Sequence, residues 1–249
     1  MDIQFKIKKI ADSSILYDTD ILVDPSPQLF DVDYHTNLES QQKLSSDQHD
    51  HILEGGVGRA RVTYFSLNDK TMVLKHYYRG GLVASILKDQ YFGFDIEKTR
   101  AFREWYLLKT MQQKGLPVPT AVAAHVKRGL FYYRADLITQ KIEKTRTLAD
   151  VLIEKEINAE QWQSIGSCVR KFHDNNIYHA DLNARNILLN DKAQVFLIDF
   201  DNSNFRLESD SWKRANLARL KRSLVKFDKN NTEFHFTEEN WSNLLDGYK

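Results

Sequence analysis

The chain of 249 residues has 42% hydrophobic and 28% charged residues and a formal net charge of +1. This composition predicts a soluble globular protein of one or two domains, and the near-neutral charge, with no recognised nucleic-acid-binding signature, disfavours nucleic acid as a partner. No apolar run approaches the roughly 20 residues that span a bilayer, the N-terminal stretch MDIQFKIKKI is unlike a secretory signal, and the single cysteine, Cys168, fits a reducing cytoplasm.

The N-terminal region has few informative patterns. Residues 3–7 alternate between polar and apolar side chains and predict a half-buried strand. Residues 35–51 are polar with two leucines, and we expect a loop or a marginal helix with a solvated face. Three histidines of this stretch have no Cys or His partner at metal-site spacing, so they are poor candidates for zinc ligands: His35, His49 and His51.

A glycine cluster follows. Glycines between extended segments let backbone amides approach a phosphate closely, so Gly55, Gly56 and Gly58 are candidate nucleotide-binding residues. Alone, the cluster predicts no more than a hairpin turn, because the complete G-x-G-x-x-G pattern is absent. Residues 71–75, TMVLK, then predict an apolar strand that ends in Lys75. This strand is similar to the V-A-I-K strand of kinases, whose lysine pairs with nucleotide phosphates.

A lysine in that role needs a glutamate on a nearby helix. Residues 99–111, TRAFREWYLLKTM, have apolar residues at helical spacing and predict a helix. Glu104 lies next to the apolar stripe and is the candidate partner of Lys75, while Glu97 is the alternative. A surface glutamate in local salt bridges is the simpler interpretation of either residue.

The middle of the chain contains an apolar insert and two further strands. Residues 77–94 are aromatic and aliphatic with several glycines, and they predict either core or a loop that meets a lipid-like substrate. Residues 115–119, GLPVP, end the preceding helix. Residues 121–126 and 131–138 predict strands, after which residues 138–142 would be a hinge whose backbone binds an adenine ring.

The strongest pattern lies in the C-terminal half. Residues 187–189 and 195–198 are short apolar runs on either side of a polar turn, which predicts a hairpin of two buried strands. Asp181 and Asn186 precede the first strand, and Asp199 follows the second. The hairpin therefore gathers carboxylate and amide oxygens, which suit Mg²⁺ shared with phosphates.

The same residues match a catalytic motif. HADLNARN at residues 179–186 matches the kinase catalytic loop H-R-D-L-x-x-x-N, and DFD at residues 199–201 stands where D-F-G follows it. In that pattern Asp181 accepts the proton of an attacking hydroxyl, and Asn186 and Asp199 hold metal ions on the nucleotide phosphates. The histidine of the motif is expected to pack beneath the loop and fix its shape.

A basic amphipathic helix is predicted near the C-terminus, at residues 212–227. Six residues of this stretch are positively charged and none is acidic: Lys213, Arg214, Arg219, Lys221, Arg222 and Lys226. Such an uncompensated helix indicates a membrane surface or another anionic neighbour, although its leucines could also dock it on the core. We further expect Thr147 and Thr237 to cap helices, and Trp241 to anchor the last one.

Together these motifs resemble a known family. HYYRGG at residues 76–81, PVP at residues 117–119, HADLNARNILL and IDFD are similar to the 3-deoxy-D-manno-octulosonic acid (Kdo) kinases of Gram-negative bacteria, which belong to the lipopolysaccharide kinase group of the protein-kinase-like superfamily. The resemblance extends from about Gly55 to the end of the chain. It implies an α+β, bilobal, protein-kinase-like fold, with an antiparallel sheet and one helix in an N-lobe at residues 1–141 and a reduced, mostly helical C-lobe at residues 142–249.

The resemblance also implies an activity: transfer of the γ-phosphate of ATP to the 4-hydroxyl of Kdo on lipid A, in lipopolysaccharide core biosynthesis. The enzyme would use Mg²⁺, take the anionic glycolipid Kdo-lipid A as acceptor, and act as a peripheral protein on the cytoplasmic side of the cell inner membrane. Asp181 would accept the proton, Lys75 with Glu104 would position the phosphates, and Asn186 with Asp199 would hold the metal.

Two departures from the protein-kinase pattern leave the reactive groups in place. Ala180 replaces the arginine before the catalytic aspartate, and Asp201 replaces the glycine of D-F-G. Too few residues follow Asp201 for the helical lobe that grips peptide substrates, so we expect a small-molecule or glycolipid acceptor. A soluble kinase for heptose or an aminoglycoside-like acceptor, and a pseudokinase that serves as a binding module, are the alternatives.

Overall fold

The computed structural model describes residues 4–35, 60–77, 95–129 and 133–249. The chain forms two compact units: unit 1 comprises Met1–Lys109 and Thr120–Lys141, and unit 2 comprises Thr110–Pro119 and Ile142–Lys249. Several predictions made from the sequence lie outside the described residues, namely those for His49, His51, Gly55, Gly56 and Gly58 and for residues 78–94.

Unit 1 is built on a six-stranded sheet. Its strands are β1 (Phe5–Ile10), β2 (Ser13–Asp18), β3 (Ala60–Leu67), β4 (Lys70–Tyr77), β5 (Ala121–Arg128) and β6 (Tyr133–Gln140). The order across the sheet is β1-β2-β5-β6-β4-β3, and every pair of neighbours is antiparallel. The predicted strands at the N-terminus and around the lysine therefore belong to one sheet.

The two faces of this sheet have different partners. Successive side chains of a strand point to opposite faces, so Met72 and Leu74 of β4 lie on one face and Lys75 lies on the other. The first face holds a core cluster that includes Met72, Leu74, Phe65 and Ile138. Lys75, on the second face, contacts helix α1 (Arg100–Gln113). The alternation of β4 thus directs its lysine away from the core cluster and toward α1.

The solvated face predicted for His35 is wrong. This side chain is buried, its Nε2 lies 2.8 Å from the carbonyl oxygen of Leu29, and its ring stacks on Phe65 at 3.9 Å between centroids. Phe30, five residues earlier in the chain, is also buried in the core cluster. Apolar residues upstream of the polar stretch therefore bring His35 onto the sheet.

Helix α1 ends at a glycine cap, as predicted for the GLPVP stretch. Gly115 adopts φ +69°, its N–H donates to Gln112 O at 2.9 Å, and the Leu116 N–H donates to Met111 O at 3.0 Å. This pair of bonds is a Schellman motif, which favours glycine at the left-handed position. Pro117 follows, and its carbonyl accepts a bond from Leu197 N–H at 3.0 Å, which ties the PVP stretch to the hairpin of unit 2.

Unit 2 is mostly helical with short strands. Its elements in chain order are β7 (Thr145–Thr147), α2 (Leu148–Glu154), α3 (Ala159–Asp174), β8 (Ile177–Tyr178), β9 (Ile187–Asn190), β10 (Val195–Leu197), β11 (Asn204–Phe205), α4 (Asp210–Asn230) and α5 (Glu238–Tyr248). The predicted hairpin is the antiparallel pair of β9 and β10. The predicted caps are confirmed, because Thr147 accepts from the N–H of Asp150 and Thr237 from that of Asn240.

Helices α3 and α5 pack closely at two glycines. A Cβ atom at Gly166 would lie 1.9 Å from Leu244 O, and one at Gly247 would lie 2.0 Å from Gln163 O. The absence of a side chain at both positions lets the two backbones touch. Trp241 of α5 is buried, as expected for an anchor. Among the described residues, no helix combines the length and apolarity that a transmembrane segment requires.

Candidate active site

The candidate residues of unit 1 form a sheltered ion pair. Lys75 Nζ lies 3.1 Å from Glu104 Oε2 and 3.3 Å from Glu104 Oε1, and only 14% and 4% of the two side chains are exposed. The hydroxyl of Tyr77 donates to Glu104 Oε2 at 2.5 Å. Glu97 lies in the exposed 3₁₀ turn Ile96–Lys98. Of the two glutamates considered from the sequence, Glu104 is the partner of Lys75.

This pair depends on which side chains of β4 face α1. Lys75 and Tyr77 are two residues apart on β4, so both face α1, where Glu104 lies beside the buried Phe102 and Trp105. Removing two charges from water costs several kcal/mol per ion, which is recovered only with good geometry and extra hydrogen bonds. The tyrosine hydroxyl supplies such a bond, and the Lys75 ammonium also lies 4.8 Å from the centroid of the Tyr77 ring.

On the opposite face of the sheet, a carboxylate lies between two histidines. His76 Nδ1 donates to Asp136 Oδ1, and His125 Nδ1 donates to Asp136 Oδ2 at 3.0 Å. Burial alone raises the pKa of Asp136, but the hydrogen bonds from His125 and His76 bring that pKa below its ordinary value. Sequence reasoning missed this cluster because its members are opposite one another on β4, β6 and β5 and distant in the chain.

In unit 2, Asp181 is held at both carboxylate oxygens. Oδ2 accepts from Asn183 Nδ2 at 3.1 Å, and Oδ1 accepts from Arg219 Nη1 at 3.2 Å. The Asp181 side chain is 59% exposed, so its remaining lone pairs can meet a hydroxyl from solvent. Asp181 is therefore an accessible carboxylate whose two oxygens are held in one orientation.

The two candidate metal ligands lie at one end of the hairpin. Asn186 Nδ2 donates to the backbone oxygen of Asp181 at 2.9 Å, and no described donor reaches its Oδ1. The Ile198 N–H donates to Asn186 O at 3.0 Å, which places Asp199 just beyond the end of the hairpin. Asp199 adopts φ +62°, a left-handed conformation that aspartate tolerates better than most residues.

These donors suit an ion that is shared with a substrate. Mg²⁺ is usually bound by one or two protein oxygens together with phosphate oxygens and water, and Asn186 and Asp199 supply one amide oxygen and one carboxylate. Across the parts of the chain that the structure describes, no group of three or more His, Cys, Asp or Glu side chains is arranged as a metal site.

His179 shapes the loop that contains Asp181, as expected. The ring is buried, its Nε2–H donates to Ile198 O at 2.9 Å, and its Nδ1 accepts from the Asp181 N–H at 3.2 Å. Its centroid lies 4.7 Å from that of Phe200. One imidazole thus connects the catalytic loop to the segment that follows β10.

A buried network behind this loop was not anticipated from the sequence. Tyr248 OH donates to His173 Nδ1 at 2.7 Å, His173 Nε2–H donates to Asn216 Oδ1 at 3.1 Å, and Asn216 Nδ2 donates to His179 O at 2.7 Å. Burial lowers the pKa of His173 to about 4, although the bond to Asn216 opposes the shift. The only sequence signal was a histidine and an asparagine on the apolar faces of α3 and α4.

The expectation that the cations of α4 lack acidic partners is wrong. Three of the six form ion pairs with acids outside the predicted stretch: Lys213 with Glu208 at 3.1 Å, Arg219 with Asp181 at 3.2 Å and Lys221 with Glu238 at 2.7 Å. The error arose because charge was counted along the helix alone, whereas two of these acids lie in flanking segments and the third lies in the catalytic loop.

Comparison with known proteins gives a consistent family. Residues 45–248 match the model of the "Lipopolysaccharide kinase (Kdo/WaaP) family". A 3-deoxy-D-manno-octulosonic acid kinase of Mannheimia succiniciproducens is 43% identical over 205 residues, covering 80% of this chain and 85% of that protein. Its counterpart from Vibrio vulnificus is 33% identical over 242 residues, covering 97% of each.

A solved structure supports the fold. The structure described as "WaaP in complex with acyl carrier protein" aligns with a TM-score of 0.53 at 18% identity, covering 78% of this chain and 76% of that chain. At this identity the likeness concerns the fold. The α+β, protein-kinase-like fold expected from the sequence is thereby confirmed.

Proposed function

Because the chain belongs to the lipopolysaccharide kinase (Kdo/WaaP) family, we propose that it transfers the γ-phosphate of ATP to the 4-hydroxyl of Kdo on Kdo-lipid A, during synthesis of the lipopolysaccharide core. The protein is a phosphotransferase of the kinase type that acts on a sugar hydroxyl. The observation that carries the residue assignments is the sheltered ion pair of Lys75 with Glu104. A pair of this kind is a costly arrangement, and kinases require it to orient a nucleotide.

Asp181 receives the proton in this mechanism. As the sugar oxygen forms a bond to the γ-phosphorus and the bond from that phosphorus to the ADP oxygen breaks, the hydroxyl proton passes to the Asp181 carboxylate. Asn183 and Arg219 fix the two oxygens of that carboxylate. Its exposed position is compatible with an acceptor as large as a glycolipid.

The other candidates position the nucleotide. Lys75, oriented by Glu104, binds phosphate oxygens of ATP, and Gly55, Gly56 and Gly58 would supply backbone amides to the same phosphates. Asn186 and Asp199 would hold Mg²⁺. An ion held by these two residues would supply positive charge to offset the negative charge that develops on the phosphates.

We assign the protein to the cytoplasmic side of the inner membrane as a peripheral protein. One face of α4 lines a shallow cavity of about 600 Å³ with Lys221, Arg222, Val225, Lys226 and Lys229. Such a face suits the phosphates of an anionic leaflet, where each cation contributes about 1 kcal/mol at low salt.

Flotation with anionic vesicles tests this location. At low salt, Lys226→Glu with Lys229→Glu should weaken binding at least ~10-fold. Lys155→Glu with Lys171→Glu changes the net charge equally at two exposed residues of unit 2 outside α4, and it should leave binding closer to wild type. Equal losses in the two double variants would contradict the assignment to α4.

An acceptor panel tests the activity. The protein is incubated with ATP, Mg²⁺ and Kdo-lipid A, heptose or an aminoglycoside, and the products are analysed by mass spectrometry and NMR. We expect a monophosphate at the 4-hydroxyl of Kdo with wild type, and a loss of ~10³-fold or more with Asp181→Ala at unchanged ATP affinity. Faster phosphorylation of heptose or the aminoglycoside, or ATP binding without any transfer, would overturn the proposal.

A further inference from the structure

One side of α4 lies along the catalytic loop. Four of its residues, spaced three, four and four positions apart, fall on a single face of the helix, and each contacts the loop. They are Asn216, Arg219, Ser223 and Phe227. This row is distinct from the cationic face described above.

The contacts follow the order of the loop. Ser223 Oγ accepts from the Ala184 N–H at 3.1 Å, and the Phe227 ring lies 5.3 Å from the guanidinium carbon of Arg185. Both contacts lie beyond Asp181 in the chain.

The N-terminal end of the row supports the loop before Asp181. Asn216 is buried and donates to His179 O at 2.7 Å. With the contacts beyond Asp181, this bond makes α4 a support for the whole catalytic loop.

Within this row only Arg219 reaches the functional carboxylate. Its Nη1 lies 3.2 Å from Asp181 Oδ1, and 44% of its side chain is exposed. The residue just before the aspartate is Ala180, so the cation comes from α4 and not from the loop itself. An ion pair this exposed adds little to the stability of the fold. Its main consequence is therefore geometric, because it fixes the rotation of the Asp181 carboxylate.

We propose that Arg219 is a positioning residue for phosphoryl transfer, which holds Asp181 Oδ1 so that the carboxylate meets the acceptor hydroxyl in one orientation. The inference rests on the proposed function, because it assigns Asp181 the role of proton acceptor. Asn183 holds the other oxygen, but its amide is neutral and belongs to the loop, whereas Arg219 is anchored on a 21-residue helix. A misplacement of about 1 Å can cost ~10²-fold in rate.

Arg214 supplies a matched control. It lies on the same helix and is exposed, and it has no acidic partner within 4 Å among the described residues. Arg219→Ala and Arg214→Ala therefore make the same change in charge and helix composition. Arg219→Lys keeps the charge but loses the planar fork that orients a carboxylate.

The test compares these variants in steady-state kinetics with a detergent-solubilised acceptor. We expect Arg219→Ala to lower kcat ~10–100-fold, with KM for ATP and the melting temperature unchanged. Guanidinium at millimolar concentration should restore part of the rate of Arg219→Ala. The kcat of Arg219→Lys should fall between those of wild type and Arg219→Ala. Arg214→Ala should behave like wild type.

Two results would overturn the positioning role. One is wild-type kcat in Arg219→Ala. The other is a lower kcat that is accompanied by a lower melting temperature and is not rescued by guanidinium, as a purely structural residue would give. The assay uses whichever acceptor wild type phosphorylates fastest, together with ATP hydrolysis in its absence. A different preferred acceptor would thus contradict the proposed function while the comparison of Arg219 with Arg214 stands.

Discussion

The two units hold their candidate site residues, and the segments around them, by different physical means. In unit 1, Lys75 is fixed by opposite charge, through a carboxylate that is almost fully buried. In unit 2, Asp181 is largely exposed, and the loop around it is fixed by neutral hydrogen bonds that run through Asn216 and His173 to the C-terminal helix. The stability of unit 1 should therefore be sensitive to loss of a charge, and the stability of unit 2 to loss of close packing.

The largest effect is expected from breaking the ion pair of unit 1. Glu104→Gln removes the charge that orients Lys75, so single-turnover phosphoryl transfer should slow ~10²-fold or more. Leaving one charge of a buried pair without its partner costs ~3–5 kcal/mol, which urea denaturation would detect. Glu97→Gln, in the exposed 3₁₀ turn of the same unit, is the control and should change neither quantity.

A double variant separates stability from activity at this pair. Lys75→Met with Glu104→Leu replaces both charges by apolar groups, which is often neutral for stability. We expect it to regain much of the stability lost in Glu104→Gln but none of the activity. Full phosphoryl transfer in either variant would show that Lys75 does not serve the nucleotide.

In unit 2 the corresponding change is steric. Gly166→Ala places a Cβ 1.9 Å from a backbone oxygen of α5, so the two helices must separate. Overpacking of this kind costs ~3 kcal/mol, and it should also loosen the bond from Tyr248 to His173. Gln163→Ala, an exposed change on the same helix, should leave the melting temperature nearly unchanged. An unaltered melting temperature for Gly166→Ala would contradict the close packing of α3 and α5.

The units should also differ in their response to acid. His173 in unit 2 has a folded pKa of about 4, below its ordinary value of 6.5. Between these two values the unfolded chain binds a proton that the folded chain does not, so stability falls by ~3 kcal/mol as the pH drops from 6.5 to 4. His173→Phe should abolish this slope, although it lowers stability at neutral pH.

Unit 1 contributes in a lower pH range. The folded pKa of Asp136 lies below its ordinary value of 3.8, so its stabilising effect is complete above 3.8 and is lost as the pH falls through the folded pKa. Asp136→Asn should flatten the plot of the free energy of unfolding against pH in that range only, as measured by urea denaturation. If Asp136→Asn instead removed the pH dependence of stability between pH 6.5 and 4, it would contradict the assignment of the two pH ranges to the two units.

The comparison also explains what the sequence could predict. Asp181, Asn186 and Asp199 could be found because they flank one hairpin in a short stretch of chain. Glu104 could be found because a single helical stripe limits which glutamates can approach Lys75.

Contacts between distant elements could not be found in this way. The pairing of Arg219 with Asp181 joins a helix to a loop 38 residues earlier, and no periodicity reports it. The contacts of Asp136 with the histidines on both sides of it can be found only when the register of three strands is known. His35 was misplaced because a polar neighbourhood in the chain says nothing of the aromatic ring it stacks on.

The most direct test of the central claim is whether one ATP molecule serves both Lys75 and Asp199. A lysine-reactive acyl phosphate of ATP is added with Mg²⁺ to wild type, to Asp199→Asn and to Asp191→Asn, an exposed control on the hairpin turn, and labelled lysines are measured by mass spectrometry. We expect Lys75 to be labelled far more than the exposed Lys98, excess ATP to prevent the labelling, and only Asp199→Asn to reduce it. Labelling of Lys75 that neither ATP nor Asp199→Asn reduces would contradict a shared nucleotide.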